Sequence, residues 1–386
     1  MLIKLITPLQ SPSCMDRRLR RVAERAVDGW LKGDQMARVL RRTLPSSGLT
    51  LEERERVAGV VHRVVRHRRL YEYILERKGF SLSPASLVKI ALGEVEWDEG
   101  LVEDAPPPIR LSCSEAVSEI LLRHVDYVER INREPETFLA VNLRKCGRRE
   151  VKSMLEREGM AAEEFMPETA LRTVSRGRYS KAAKEGLAHV QDPSSQLVAK
   201  ITALLGGDVL DYCAGNGGKS LTMAYYGAPV FAYDKNRGKL RNLERRAEIY
   251  RVPVRVEWWP REHDVVLVDA PCSGLGAAAR NPEVKYYRDL KGFPVKQKRI
   301  LSEASRGCRR YLIYSVCTFT EEETEGVVED FLGGERGFEP LPPEEVLPGI
   351  LFSEELKYVR YRGRGAIIEA IIELSDIMYI AILERK

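Results

Sequence analysis

A chain of 386 residues with 44% hydrophobic and 31% charged content holds enough material for two or three domains with buried cores. That balance excludes a disordered or fibrous protein. The last apolar stretch, Ala366 to Leu383, carries Glu369, Glu373 and Asp376, which excludes a membrane span there and suits two strands joined near Ser375. The net charge of +5 is mild, yet Arg17, Arg18, Arg20, Arg21 and Arg25 gather near the start and Arg63, Arg66, Arg68 and Arg69 come after them. Such clusters either track a phosphate backbone or form solvated helix faces paired with Glu. The seven cysteines form no C-x-x-C pair and have no nearby His in ligand spacing, so no metal site is expected. Scattered thiols in odd number fit a reducing compartment. Met1 to Leu9 is too short for a secretory signal and is broken by Lys4. A cytoplasmic monomer with no membrane partner is the expectation.

From Met15 to Lys78 the pattern is helical. Val22, Ala26 and Trp30 recur at helical spacing, and Val57, Val60, Val61, Val64 and Val65 form a second stripe. Ser47 and Thr50 are candidate caps, with Glu53 placed to complete a capping box on Thr50. Glu94 to Asp104 is acidic and leads to Pro106-Pro107-Pro108, which reads as a linker or long loop. Ser112 to Arg130 is helical again. The period then changes: Phe138 to Leu143 reads as a strand, Arg148 to Gly159 as a helix and Ala170 to Val174 as a strand, making a small α+β module. Ser175 to Lys184 is a basic loop. The expected division is residues 1–110, all helical, then 111–185, the α+β module, then 186–386.

That last part alternates strand and helix, with strands expected at 208–212, 229–233, 253–257, 264–269 and 311–316. This is the pattern of a doubly wound α/β sheet, whose ligands sit at the carboxyl ends of the strands. Val209 to Tyr212 runs into Cys213-Ala214-Gly215-Asn216-Gly217-Gly218-Lys219, a glycine turn that opens a helix. A P-loop needs Gly six residues before its Lys, where Cys213 stands; the dinucleotide fingerprint G-x-G-x-x-G is not met either. A second apolar strand ending in Asp234 places a carboxylate for two ribose hydroxyls, which suits an S-adenosyl nucleoside as well as NAD. A Gly-rich turn with no ligand is the bland alternative.

Two cysteines lie at strand ends of the same sheet. Val265 to Asp269 runs into Ala270-Pro271-Cys272-Ser273-Gly274, and Leu312 to Val316 runs into Cys317-Thr318. A single Cys after a strand is ordinarily a small core residue. Two beside a glycine loop, one preceded by Asp-Ala-Pro, point to catalysis.

On these pieces the chain resembles the RNA cytosine-5 methyltransferases of the Sun/Fmu family. The resemblance covers Val190 to Gln196, the Asp211 to Lys219 loop, Asp234, Asp269 to Gly274, Arg280 to Lys285, and Tyr314 to Thr318 with Glu322-Glu323. The Asp-Ala-Pro-Cys-Ser-Gly and Cys-Thr pair is its specific part. The first helices resemble the family's NusB-like RNA-binding domain, and Asn142 with the basic segment after it matches its small RNA-recognition module.

The resemblance implies S-adenosylmethionine as cofactor, held by Cys213 to Lys219, Asp234, Asp269 and Glu257, with Trp258 as a stacking surface. It implies RNA as partner, ribosomal or transfer, contacted through Asn142, Arg280 and Lys285. It also implies Cys317 as nucleophile on cytosine carbon 6, Asp269 as the group holding the pyrimidine edge, and Cys272 as the second cysteine that assists release. Lys219 and Arg280 would favour a thiolate, and the base must be unpaired or flipped out.

The chain also departs from the family pattern. Asn216 replaces a Pro in the loop, Val316 a Thr before the nucleophile, and Ala140 an Arg before the Val-Asn pair. The link from the third strand to Asp264 is very short. Arg362-Gly-Arg-Gly365 and Asp376 to Tyr379 stand where the family has a His and an Asp-Gly-Phe-Phe ending. These departures leave two rival readings. One is a catalytically silent RNA-binding or assembly paralogue. The other is an amino-directed methyltransferase, which lacks its aromatic after the prolines.

Overall fold

The computed structural model describes residues 15–334, 337–368 and 374–386. Met1 to Leu9, Glu369 and Glu373 lie outside them. The chain divides into two compact units, one reaching Glu134 and taking back Ala278–Leu290, the other made of Pro135–Ala277 and Lys291–Lys386.

In the first unit, helices Arg17–Leu31, Met36–Thr43, Leu51–Arg77 and Pro84–Ala91 enclose a core that includes Val22, Ala26, Val57, Val60, Val61 and Val64. The helix at Leu51 starts where its capping box sets it. Thr50 Oγ1 accepts from Glu53 N at 3.2 Å, and Glu53 Oε2 accepts from Thr50 N at 2.7 Å. Ser47 caps nothing: its hydroxyl donates to Leu44 O at 2.6 Å. The stretch expected as a linker holds helical turns at Glu99–Glu103 and Pro107–Arg110, the first capped by Asp98 and the second opened by proline. The unit runs past residue 110 because Arg69 grips the segment 112–115. Its backbone N–H donates to Ser112 Oγ at 3.0 Å, and its guanidinium reaches Cys113 O at 2.6 Å and Glu115 at 2.8 Å. Residues 278–290 return to the same core, with Tyr286 OH donating to Val65 O at 2.7 Å.

The second unit holds two sheets. The smaller has strands β1 (Thr137–Val141), β2 (Ala162–Glu164), β3 (Ala170–Thr173) and β4 (Ala188–Val190), in the order β2-β3-β1-β4. Leu139 and Val141 on β1 pack with Leu171 and with Val151 and Leu155 of the Arg148–Arg157 helix. Among the described residues the larger sheet has nine strands. Its parallel part is β5 (Val209–Asp211), β6 (Val230–Ala232), β7 (Val254–Val256), β8 (His263–Asp269) and β9 (Cys308–Val316), ordered β9-β8-β5-β6-β7. Val265 to Val268 is apolar at every position and wholly buried, as a central parallel strand requires. Helices Pro193–Leu204, Gly218–Tyr225, Arg237–Tyr250 and Gly292–Ser305 alternate with these strands, giving the expected doubly wound fold. The other four strands are antiparallel: β10 (Phe338–Leu341), β11 (Val359–Arg362), β12 (Gly365–Ile368) and β13 (Met378–Arg385). β13 lies beside β9, with Tyr379 opposite Val316.

The registers place the site. Asp211 pairs with Leu267 on β8, and Asp269 pairs with Ser315 on β9, so the Gly loop and both cysteine turns leave the sheet at one edge.

Candidate active site

The glycine loop is shaped by backbone that only glycine tolerates well. Gly215 and Gly217 have φ of +56° and +80°, and a Cβ on Gly217 would lie 2.0 Å from Leu243 Cδ1. Gly217 also opens the helix Gly218–Tyr225. Gly215 N donates to Asp234 Oδ2 at 2.9 Å, and Asn236 N donates to Asp234 Oδ1 at 2.7 Å. The acid at the tip of β6 is thereby fixed against the loop, with lone pairs left for hydroxyl donors.

Asp211, at the end of β5, is buried. Its Oδ2 accepts the Ser220 hydroxyl at 2.6 Å, while its Oδ1 has no hydrogen-bond partner. Burial raises its pKa to about 7, against the Ser220 hydrogen bond, and Asp269 adds to the rise. A buried acceptor without a donor is costly unless a ligand supplies one. The donor set and the orphaned oxygen therefore fit a nucleoside carrying hydroxyl and cationic groups, which is what S-adenosylmethionine offers.

Asp269 and Lys219 form an ion pair of 2.7 Å. Burial opposes the Lys219 ammonium, but Asp269, with contributions from Cys317 and Asp211, outweighs it and holds the lysine above its ordinary pKa. A fixed positive charge thus stands close to the thiols. Cys272 Sγ lies 3.2 Å from Cys317 Sγ. The hydrogen bond to Cys317, then burial, pushes the Cys272 thiol well up, so Cys272 keeps its proton beside Cys317.

The turn carrying Cys272 is braced by residues whose role the sequence alone does not reveal. Glu323 is buried, and its Oε2 accepts from Ser273 N at 2.8 Å and from Gln297 Nε2 at 2.9 Å. Gln297 also donates to Pro271 O at 3.2 Å, and Ser273 Oγ donates to Thr318 Oγ1 at 3.0 Å. The Glu322-Glu323 pair is visible as a motif; its reach across 50 positions to Ser273 is not. The Val190 to Gln196 motif is likewise a structural knot. Asp192 caps the Pro193–Leu204 helix, and Gln196 Nε2 donates to Gln191 O at 3.0 Å.

Three expected contacts are placed differently. Glu257 is buried and turned inward: its Oε2 accepts from Arg261 N at 2.9 Å and its Oε1 lies 3.3 Å from His263 Nε2. Asn142 is fully buried and donates to Tyr250 O at 2.8 Å, tying the small sheet to the Arg237–Tyr250 helix, so it has no surface for RNA. Lys285 is also fully buried. Its ammonium donates to Arg66 O at 2.8 Å and Asn132 Oδ1 at 2.5 Å, which anchors residues 278–290 in the helical unit. Arg280 is half-buried and belongs to that same unit. Cys213 and Ala214 lie within the glycine loop, Cys213 half-buried and Ala214 buried.

A doubly wound sheet with a glycine loop after its first parallel strand and an acid after its second defines the class of S-adenosylmethionine-dependent methyltransferase folds. Residues 206–344 match the family model described as 16S rRNA methyltransferase RsmB/F. Ribosomal RNA small subunit methyltransferase B of Thermus thermophilus is 36% identical over 170 residues, 41% of this chain and 43% of that relative. The enzyme of the same name from Vibrio cholerae is 30% identical over 254 residues, 58% of this chain and 57% of that relative. The chain spans about half the length of the curated relatives it matches. Among solved structures, PH0851 superposes with a TM-score of 0.74 at 17% identity, over 96% of this chain and 99% of that one. NSun6 from Pyrococcus horikoshii superposes with a TM-score of 0.57 at 18% identity, over 70% of this chain and 97% of that one. Residues 206–344 are thus similar to the RsmB/F methyltransferases. Among the described residues no helix is long and apolar enough to cross a membrane.

Proposed function

We propose that the chain is an RNA cytosine-5 methyltransferase that works through a covalent cysteine–cytosine adduct. The observation that carries this reading is the Cys272–Cys317 pair, with sulfurs 3.2 Å apart at the ends of two adjacent parallel strands. The pair sits at the edge where the glycine loop leaves the sheet, and Lys219 and Asp269 stand beside it. S-adenosylmethionine, held by the 213–219 loop, Asp211 and Asp234, supplies an electrophilic methyl group.

Cytosine carbon 5 is a weak nucleophile. Addition of the Cys317 sulfur to carbon 6 forms an S–C bond and moves electron density to carbon 5, which would then take the methyl group as the methyl–sulfonium bond breaks and the thioether S-adenosylhomocysteine leaves. Asp269 holds the pyrimidine edge and steadies the activated ring. The carbon 5 proton then leaves, the carbon 5–carbon 6 double bond returns and the S–C bond breaks. Cys272, kept as a thiol against Cys317, assists that release. The base enters only when unpaired or flipped out. RNA, ribosomal or transfer, is the substrate, and the cytoplasm is the compartment that its free thiols suit.

One observation favours a second reading, a silent RNA-binding paralogue: Glu257 spends its carboxylate on Arg261 and His263. Calorimetry with S-adenosylmethionine separates the two, since only a working cofactor site binds it. The test of the reaction is transfer of label from S-adenosylmethionine to RNA. Labelled 5-methylcytidine is expected from the wild type and none from Cys317→Ala.

A further inference from the structure

Parallel strands are ordinarily joined by a crossover of about a dozen residues or more that lays a helix on the sheet. Residues 257–262 join β7 to β8 without one. The sheet face at Phe231 and Arg255 stays accessible, and a cavity of about 380 Å³ lies there, walled also by Trp258, Trp259, Pro260 and Arg261.

Its chemistry is unusual for an open surface. Trp259 is 73% exposed and Trp258 36%, and the Arg237 guanidinium stands 5.2 and 5.7 Å from their ring centroids. Exposed Arg255 and Arg261 line this cavity beside Arg237, and Arg241, Arg245 and Arg251 line a second cavity that shares Arg255 and Val256 with it. None of them makes an ion pair among the described residues. Elsewhere Arg63, Arg69, Arg148 and Arg172 each hold a carboxylate at 2.7 to 2.8 Å. Glu244 and Glu248 are interleaved with the arginines, exposed Glu262 follows Arg261, and the buried Glu257 accepts from Arg261 N. The surface is therefore cationic, with both indoles exposed to solvent.

We propose that this Trp–Arg surface is a platform for single-stranded RNA flanking the target base. Unpaired guanidinium groups match a phosphate backbone, and exposed indoles offer stacking faces to unstacked bases. The position suits that role. Trp258 lies just past the carboxyl end of β7, which is three strands from β8 in the order β8-β5-β6-β7. At a strand spacing of about 4.8 Å that is roughly 14 Å along the same edge, within reach of a few nucleotides. The inference rests on the reading that the chain acts on RNA.

The test is fluorescence anisotropy of an unstructured, labelled oligocytidine against the full chain, over a salt series. Trp259→Ala should weaken binding about tenfold. Arg255→Ala with Arg261→Ala should lower the slope of log K against log salt by about 1 to 2. Calorimetric binding of S-adenosylmethionine should be unchanged in each variant, which reports an intact fold. Wild-type binding matched by all variants would overturn the platform and leave the RNA reading standing. A wild type that binds no RNA would sink the RNA reading, and this inference with it. A wild-type dimer that Trp259→Ala dissociates in sedimentation would assign the surface to a second copy instead.

Discussion

The backbone amide of Gly276 donates to the carbonyl of Cys317 at 3.0 Å, so the turn that carries one thiol is bonded to the residue that carries the other. A Cβ on Gly276 would lie 2.2 Å from Ile377 O and 3.0 Å from Cys317 O, both of them backbone atoms that cannot swing away. Gly276→Ala must therefore push the Cys272 turn off Cys317. A displacement near 1 Å is worth about a hundredfold in a positioned reaction. We expect methyl transfer to fall by about that factor while S-adenosylmethionine binding, measured by calorimetry, stays close to wild type.

Asp211 carries the pH dependence of the cofactor end. Its carboxyl is raised from 3.8 to about 7 by burial. Between those values the folded state holds a proton that the unfolded chain has released, so stability falls as pH rises from about 4 to 7. The loss is on the order of 4 kcal/mol once the group is ionised. Asp211→Asn removes it. Denaturant unfolding at pH 5 and pH 8 should show the variant gaining on wild type at the higher pH.

Lys285 gives the opposite slope. Burial lowers it from 10.5 to about 7. Between those values the unfolded chain holds the extra proton, so this group makes stability rise as pH climbs from about 7 towards 10.5. Lys285→Met should remove that rise, read as the difference between the two unfolding curves at pH 7 and pH 9.5. Its effect on RNA affinity should be small so long as the unit stays folded.

The Lys200 ammonium is buried between Glu355, whose two carboxylate oxygens both lie 2.8 Å away, and Glu168 Oε2 at the same distance. Lys200→Met leaves the buried Glu355 carboxylate without its cation. Breaking such a pair from one side costs about 3–5 kcal/mol, and urea unfolding should show a loss of that size. Pairing it with Glu355→Leu should recover part of the loss.

Much of this site is legible in the sequence because short-range chemistry fixes it. The parallel strands read as apolar runs, the Asp residues at 211, 234 and 269 mark their ends, and the two cysteine turns come at fixed spacing. Thr50 and Glu53 form the capping box that their spacing implies. What the sequence conceals depends on distant partners. Nothing local to Lys285 says that Arg66 and Asn132 will wrap its ammonium, and nothing local to Asn142 points to Tyr250. Charge suggests a surface role for the lysine; burial assigns it a packing role. Residues 278–290 fall inside the expected 186–386 division, yet Tyr286 and Lys285 bind them into the helical unit. Glu323 is visible only as part of a motif, because its bonds to Ser273 and Gln297 are formed by the fold.

In the proposed reaction Cys317 attacks the base and Cys272 helps to release it. The most direct measurement mixes wild type, Cys317→Ala and Cys272→Ala with RNA and labelled S-adenosylmethionine. Products are digested to nucleosides, and any covalent protein–RNA complex is scored on a denaturing gel. Labelled 5-methylcytidine is expected from wild type, neither product nor complex from Cys317→Ala, and an accumulated covalent complex from Cys272→Ala. Methylcytidine formed by Cys317→Ala at the wild-type rate would remove Cys317 from the reaction.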